Sequence, residues 1–258
     1  MSRLAFLLLL LVAATSALAD DGAGFIYGTL TTEDGDQYTG FLRWDGEEAY
    51  WNDLFNSRQI DAPFFDEVDL DVLHEERKKK YFAEHGLFDR LMWSLHNRGD
   101  QDKPTRIFIS RFGDMAAIDQ DDEENVVVTM NDGRQIPVHG YANDVSSDIL
   151  IYSGAEEPET VEWDDLRRIE FAQAPPEAVP YARRIFAEVR TRRGDLAGFL
   201  MWDESECTSI DVIDADEQDV DLGDIRHFEK LDTGSSRVTL TDGSIVDLSG
   251  TNDVDDGH

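Results

Sequence analysis

The stretch TGFLRWD, residues 39–45, returns almost unchanged as AGFLMWD, residues 197–203, 158 positions later. The likeness extends outward, because TTEDGDQYTGFLRWDGEE (31–48) matches TRRGDLAGFLMWDESE (191–206) apart from a small length change in the turn. A phrase repeated at this length indicates either two copies of a site or two copies of a structural module.

A second correspondence follows in the same order, with a different spacing. GDMAAIDQDDEENVVVTMNDG (113–133) and GDIRHFEKLDTGSSRVTLTDG (223–243) have equal length and lie 110 positions apart. Two matching blocks in the same order favour a tandem duplication, and therefore a chain built of two related halves.

A shorter sequence pattern, which we name the acid-aliphatic echo, occurs in both halves. VEWDDLRRIEF (161–171) resembles VDLGDIRHFEK (220–230), and SRFGDMAAI (110–118) is a looser third copy. Each has an acidic residue, then an aliphatic residue, then an apolar residue three positions further on. This pattern is typical of a short turn feeding a strand, and it predicts that Leu166 and Ile169 are buried.

The two spacings differ, so the first half must contain extra sequence, which we place at about 57–104. Within it, DVLHEERKKKYFAEHGLFDRLMWSLHNRG (71–99) has few turn residues and many good helix formers. Its apolar residues recur at patchy helical spacing. We predict a helical insertion of one or two helices, broken near Gly86 and ending at Gly99.

Elsewhere the signals are those of strands. Runs such as NVVVTM, ILIY and SRVTL are separated by DG, NDG and TDG turns. The fold class is therefore mainly β, with two related small barrel-like or sandwich-like halves. We predict a first module at 20–171, a linker at 172–180 that holds three of the seven prolines, and a second module at 181–258. The second half has no counterpart of 161–171 near its C-terminus, so we expect it either to borrow a strand or to be truncated.

The pattern V-T-[LM]-x-D-G, followed by V-[DE]-x-x-D-[LI]-R-x-[IF], resembles the small β-barrels of Sm-like and SH3-like modules in exported bacterial envelope proteins. The likeness covers most of both halves. It implies a small barrel for each half and, because such barrels host many functions, no particular activity.

The N-terminus has the three parts of a secretory signal peptide, predicted at 1–19. Arg3 supplies positive charge, residues 4–14 form an apolar run, and Ala17-Leu18-Ala19 makes a cleavage site before Asp20. No other stretch approaches the roughly 18 apolar residues of a spanning helix. We predict cleavage near Ala19-Asp20 and a periplasmic or secreted protein without a transmembrane segment.

The charge balance is strongly acidic, with 56 Asp and Glu against 23 Lys and Arg and a formal net charge of −33. Such a field repels phosphates, which excludes nucleic acids and anionic lipid surfaces as partners. The acidity fits either a solvated surface adapted to a salty habitat or a protein that binds cations. Calcium is the candidate cation, because acidic loops supply the oxygen ligands it needs. The candidate ligands are Asp119, Asp121, Asp122, Asp219 and Asp221.

Signatures of enzymes are weak. A carboxylate-dependent hydrolase needs two acids in one cleft, and only Asp45 and Asp203, which follow the repeated tryptophan, are supported by the repeat. The sole cysteine, Cys207, stands near two acids and no histidine, so we interpret it as structural. The six histidines match no zinc-protease motif, and no nucleotide-binding loop is present.

Aromatic residues are the remaining candidates for binding. Because side chains alternate along a strand, Leu42 and Trp44 share one face and Phe41 and Arg43 the other. The apolar face predicts that Trp44 and its counterpart Trp202 lie in two cores. The predicted binding surface has four residues. Phe41 and Phe199 lie on the opposite face of the repeated strand, and Tyr50 and Trp51 have no equivalents in the second half.

These observations predict an exported, non-enzymatic β-repeat module for protein interaction or assembly in the cell envelope or extracellular space. Its partner would be a protein or another envelope component. A calcium-binding protein and a carboxylate-dependent hydrolase are the two alternatives.

Overall fold

The structure is a computed structural model that describes residues 24–59, 79–80, 106–122, 124–140, 144–154, 157–202, 205–216, 218–232, 234–250 and 254. More than half of these residues lie in strands, and they contain no helix of seven or more residues. The fold is therefore mainly β, which confirms that part of the predicted fold class.

Ten strands of the first half form one antiparallel sheet. They are β1 (Tyr27–Thr32), β2 (Gln37–Trp44), β3 (Leu54–Gln59), β4 (Arg106–Arg111), β5 (Met115–Gln120), β6 (Asn125–Met130), β7 (Gln135–His139), β8 (Ile149–Tyr152), β9 (Glu159–Val161) and β10 (Leu166–Phe171). Their order is β4-β3-β7-β6-β5-β10-β1-β2-β8-β9. The last strand along the chain, β10, thus lies between β1 and β5 and joins the N-terminal hairpin to the β5–β7 strands.

Seven strands of the second half form three smaller antiparallel sheets. They are β11 (Phe186–Thr191), β12 (Gly194–Phe199), β13 (Val212–Ile213), β14 (Val220–Asp221), β15 (Ile225–Asp232), β16 (Ser235–Leu240) and β17 (Ile245–Ser249). The sheets are β11-β12, β13-β14 and β15-β16-β17.

The two halves repeat the same hydrogen bonds in the turns between strands. The Asp53 carboxylate accepts from the backbone N–H groups three and four positions earlier, at 2.7 and 2.9 Å. Asp211 does the same, at 2.6 and 2.9 Å. Gly113 and Gly223 each donate their N–H to the carbonyl two residues before that aspartate, at 2.8 and 3.1 Å. The sequence repeat is therefore also a repeat of backbone geometry.

The acid-aliphatic echo corresponds to three single-turn 3₁₀ helices, Phe112–Asp114, Trp163–Asp165 and Leu222–Asp224. Each of them leads directly into a strand, namely β5, β10 and β15. Leu166 and Ile169 are both buried, as predicted.

The difference in length between the halves falls between two paired strands. β3 and β4 pair as far as Gln59 and Arg106, so they enclose residues 60–105. The corresponding strands of the second half, β13 and β14, are joined by residues 214–219 alone.

Two predictions fall largely outside the described residues. The signal peptide at 1–19 lies wholly outside them. Of the helical insertion predicted at about 57–104, residues 57–59 belong instead to β3, where pairing with β4 holds them extended. Lys79 and Lys80 have helical backbone, and the rest of the insertion is not among the described residues.

The largest core is built around Trp44, whose side chain is fully buried. Its ring contacts Phe55, Phe112 and Trp163, with ring centroids 5.3 to 6.0 Å apart. The second half has a smaller core of Ile213, Val220, Leu222, Val238, Leu248 and Val254. Trp202 is half-buried at the edge of that core. The core position of Trp44 is thus confirmed, and that of Trp202 only in part.

Candidate interaction surface

Two of the four predicted binding residues lie in a core between the halves. Phe41 and Tyr50 are only 2% and 3% exposed. The Tyr50 hydroxyl donates a hydrogen bond to the Cys207 carbonyl at 2.7 Å. This middle core consists of Phe25, Phe41, Ala49, Tyr50, Ala182 and Cys207. Phe41 and Tyr50 therefore contact the other half of their own chain, which corrects their interpretation as an exposed surface.

A buried ion pair joins the same two halves. Arg43 extends from β2 on the same face as Phe41, and its guanidinium donates to the Asp211 carboxylate and to the Ser205 carbonyl. Burial alone would lower the pKa of Arg43, but the hydrogen bond and charge of Asp211 raise it above its usual value. Arg43 can be buried on this mixed face of β2 because the second half supplies its counter-charge.

The other two predicted binding residues lie closer to solvent. Trp51 is half-buried, and its ring meets Phe171 edge to face at 6.2 Å. Phe199 is 51% exposed. The Arg184 guanidinium carbon lies 4.4 Å from the ring centroid of Tyr50 and 4.1 Å from that of Phe199. A single cation therefore brings two of the predicted residues together.

The β11–β12 hairpin exposes apolar side chains on both of its faces, and we name this set the hairpin patch. Its members are between 42% and 66% exposed, and they are Phe186, Val189, Leu196, Phe199 and Met201. Because side chains alternate along a strand, Phe186 and Phe199 lie on one face, and Val189 and Leu196 lie on the other. Phe186 and Phe199 contact edge to face at 5.6 Å, and Val189 pairs with Leu196 across the hairpin. The first-half counterparts of Val189 and Phe199 are Leu30 and Phe41, which are both buried. The same strand pair is thus covered in one half and open in the other.

Three of the predicted calcium ligands lie along β5 and the turn that follows it. Asp119 forms an ion pair with Arg168 of β10. The Asp122 carboxylate accepts hydrogen bonds from the side chain and backbone of Asn125, and these bonds lower its pKa. Asp121 donates its backbone N–H to the Asn125 carbonyl at 2.9 Å. Asp122 therefore has several hydrogen-bond donors within the fold, and Asp119 has a cationic partner.

The other two predicted ligands lie close together in the chain: Asp219 directly precedes β14, and Asp221 is the last residue of that strand. Both are exposed. Across the described parts of the chain, no group of three or more His, Cys, Asp or Glu is arranged to hold a metal ion. Calcium binding by these five aspartates stays a prediction.

Two interacting carboxyl groups, Glu48 and Asp144, were singled out by no chemical motif. Burial and the charge of Asp144 raise the pKa of Glu48 to about 8. Burial raises the pKa of Asp144 to about 6. Glu48 Oε2 is buried and has no hydrogen-bond partner among the described residues. The only sequence signal was structural, since Asn143-Asp144-Val145 repeats as residues 252–254.

This pair links the turn after β2 to the segment before β8. Trp44 Nε1 donates to the Asp144 carbonyl at 2.7 Å, and the Asp144 side chain accepts the backbone N–H of Asn56. A carboxyl group that keeps its proton near neutral pH has the property of a general acid. The hydrogen bonds of Asp144, however, connect parts of the fold to one another.

The other candidates for chemistry have structural surroundings. Burial raises the pKa of the Cys207 thiol to about 12, so the nucleophilic thiolate does not form at neutral pH. The Cys207 Sγ donates to the Glu47 carbonyl at 3.7 Å. Asp45 accepts a hydrogen bond from Ser147 Oγ at 3.1 Å, and Asp203 lies outside the described residues.

No protein-family model, curated protein or solved structure matches this chain. In the part of the chain that the structure describes, no helix is both long enough and apolar enough to cross a membrane. The function therefore has to be inferred from the geometry of the chain itself.

Proposed function

We propose that the protein is an exported, non-enzymatic module for protein interaction or assembly in the cell envelope or extracellular space. In this proposal the two halves are copies of one small β-module of the Sm-like or SH3-like kind. The matched hydrogen bonds of Asp53 and Asp211 support the common origin of the halves. The signal-peptide pattern at 1–19 supports export.

The hairpin patch is the observation that carries the interaction role. Soluble proteins rarely expose large groups of apolar side chains, and such groups mark surfaces that bind other proteins. The patch is notable in a chain of net charge −33, whose surface is otherwise strongly acidic. The hairpin carries exposed charges of both signs beside the patch, so the partner we propose has an apolar centre and a rim with charges of both signs. These charged residues are Glu188, Arg190, Arg192, Arg193 and Asp195.

Site-specific photo-crosslinking in the native cells tests this function. A photoreactive amino acid replaces Leu196 in the hairpin patch, and in a matched protein it replaces Val179, an exposed apolar residue in the predicted linker. We expect the Leu196 probe to form a discrete adduct with one identifiable protein, and the Val179 probe to form none. No adduct, or the same adducts from both positions, would contradict the interaction role.

A hydrolase assay tests the non-enzymatic part separately. The purified protein is offered esters, peptides, glycosides and phosphoesters. Turnover that a single change of an acid to its amide abolishes, with Glu48→Gln as the first variant, would overturn this part of the proposal.

A further inference from the structure

In the first half, β10 completes the sheet by pairing with two strands at once. Ile169 of β10 pairs with Leu30 of β1 on one side and with Ile118 of β5 on the other. Leu30 pairs in turn with Tyr38 of β2. These residues make one continuous apolar row across four strands, and Leu30, Ile118 and Ile169 are fully buried.

The second half repeats this row except for its middle member. Val189 of β11 pairs with Leu196, as Leu30 does with Tyr38. Phe228 of β15 pairs with Val238, as Ile118 does with Val128 of β6. No described residue occupies the position that corresponds to Ile169.

The two strands that would flank that position therefore keep open edges. β11 pairs only with β12, and β15 only with β16, within the described residues. Both strands border the same core, because Ile185, just before β11, and Phe228 of β15 pack against it. Val189 is 42% exposed, whereas its counterpart Leu30 is buried.

The hairpin also retains a glycine that suits a neighbouring strand. In the first half Gly40 lies against β8, and a Cβ at this position would be 2.4 Å from the Tyr152 carbonyl oxygen. At its counterpart Gly198, no heavy atom of the described part of the chain lies within 4 Å of such a Cβ. The second half thus has the sequence of a hairpin enclosed by strands, without described strands beside it.

We propose that the second half is a strand acceptor: an extended segment of a separate polypeptide inserts between β11 and β15, in the position that β10 occupies in the first half. This inference rests on the proposed interaction function and names the class of its partner. Backbone hydrogen bonds to both open edges supply affinity, and alternate side chains supply specificity.

The neighbours of the slot define the chemistry of the inserted strand. The position of the inserted strand that corresponds to Ile169 lies between Val189 and Phe228, and it requires an apolar side chain. The position of Glu170 lies between the counterparts of Thr29 and Ala117, which are Glu188 and His227. A basic side chain is complementary there, whereas the glutamate of β10 would face Glu188.

The first half also shows that charge is matched across this position. Arg168 of β10 forms its ion pair with Asp119, whose counterpart on β15 is Glu229. On β11, however, the same position faces Arg190, the counterpart of Thr31. The register therefore defines two positions of the inserted strand, an apolar residue that faces the core and a basic residue directly after it.

A peptide from the chain itself provides the probe. Residues 162–171 with Glu170→Lys, labelled with a fluorophore, are titrated with the purified full chain, and binding is followed by fluorescence anisotropy. We expect saturable binding that weakens by about tenfold or more when the peptide also carries Ile169→Asp. Restoring Glu170 in the peptide should weaken binding to a smaller extent.

Variants of the protein locate the peptide. Val189→Glu should weaken peptide binding by about tenfold or more, and Val179→Glu, an equal change at another exposed valine, should leave it unchanged. Both variants are first shown to have the urea midpoint of the parent. Hydrogen exchange should slow in β11 and β15 when the peptide binds.

Three results would overturn the proposal. The first is that the peptide shows no saturable binding up to about 1 mM. The second is that Val189→Glu does not weaken peptide binding. The third is that the protein does not bind the peptide but forms a dimer, and Val189→Glu dissociates that dimer. The last result would mean that a second copy covers these edges. If the Leu196 crosslink identifies a partner but the peptide does not bind, only the strand inference fails. If the peptide binds and no partner crosslinks, the cellular function fails instead.

Discussion

Arg43 and Asp211 are 168 positions apart in the chain, and their side chains form an ion pair that is almost fully buried. The other Asp211 oxygen holds the turn at Cys207 and Thr208. In the first half the Asp53 carboxylate accepts the matching hydrogen bonds, so both halves have an aspartate at this place in the turn. The copy in the second half, Asp211, also forms a buried ion pair with a cation from the other half.

Breaking this pair from one side should be costly. Asp211→Asn keeps an oxygen that can accept the two turn hydrogen bonds, but it leaves the Arg43 charge buried without a counter-charge. Removing one partner of a buried pair costs about 3–5 kcal/mol, and we expect a loss of about 3 kcal/mol in the free energy of unfolding. Urea denaturation, followed by tryptophan fluorescence, measures it.

The matched control is an exposed ion pair of the same residue types. Arg237 donates to Asp247 at 2.6 Å on the surface, and Asp247→Asn should cost less than about 1 kcal/mol, because solvent screens exposed pairs. Equal losses for the two variants would show that the buried pair does not hold the halves together.

Gly40 and Gly198 occupy the same place in the repeat but should respond differently to a methyl group. Gly40→Ala brings a Cβ to 2.4 Å from the Tyr152 carbonyl oxygen, so β8 must move away from β2. We expect a loss of about 2–3 kcal/mol, as for other overpacked sites. The Cβ of Gly198→Ala meets no atom of the described residues within 4 Å, so this change should be neutral or stabilising by up to about 1 kcal/mol.

Urea denaturation of the two alanine variants, at equal protein concentration, measures this difference. A comparable loss at Gly198 would mean that a segment outside the described residues already lies beside β12.

Much of the fold could be predicted from local patterns. Alternation along TGFLRWD was enough to place Trp44 in a core, because a strand with one apolar face has a single way to bury it. The acid-aliphatic echo predicted the burial of Leu166 and Ile169 for the same reason. Spacing alone located the extra sequence, since a repeat with two offsets must contain an insertion between its blocks.

The docking of the halves could not be predicted in this way. Phe41 and Arg43 lie on a mixed face, and their burial depends on residues about 160 positions away. The electrostatic effect of Asp144 on Glu48 depends likewise on a turn and a loop that meet only in the folded sheet. Phe199 was a candidate because of its sequence position, but the open edge beside it follows from sheet order.

Trp44→Ala should be among the most destabilising single changes in the chain. The side chain is fully buried, and its indole N–H is bonded to the Asp144 carbonyl, so truncation leaves both a cavity and an unpaired acceptor. We expect a loss of about 3–5 kcal/mol. Trp202→Ala should cost less, about 1–2 kcal/mol, because that ring is half-buried at the edge of its core. Thermal and urea unfolding of both variants test the order, and a Trp44 loss below about 1 kcal/mol would contradict its role in the core.

Glu48 should make the stability of the protein depend on pH between acid and mildly basic conditions. Its pKa is about 8 in the folded protein, against an ordinary value of 4.5, so over this range the folded state holds a proton that the unfolded state has lost. Because the unfolded state binds fewer protons, the free energy of unfolding falls as pH rises from 4.5 to about 8. Glu48→Gln removes this dependence. Relative to the parent it should gain about 2 kcal/mol between pH 5 and pH 9, which is about half of what the full pKa shift would give, because solvent screens part of the charge of this half-buried carboxyl group. Urea denaturation at pH 5, 7 and 9 measures the difference.

Asp122→Asn is the control, because the pKa of Asp122 is lowered below its usual acidic range and its contribution to stability does not change between pH 5 and pH 9. A constant difference between Glu48→Gln and the parent at all three pH values would show that Glu48 is ionised in the folded protein.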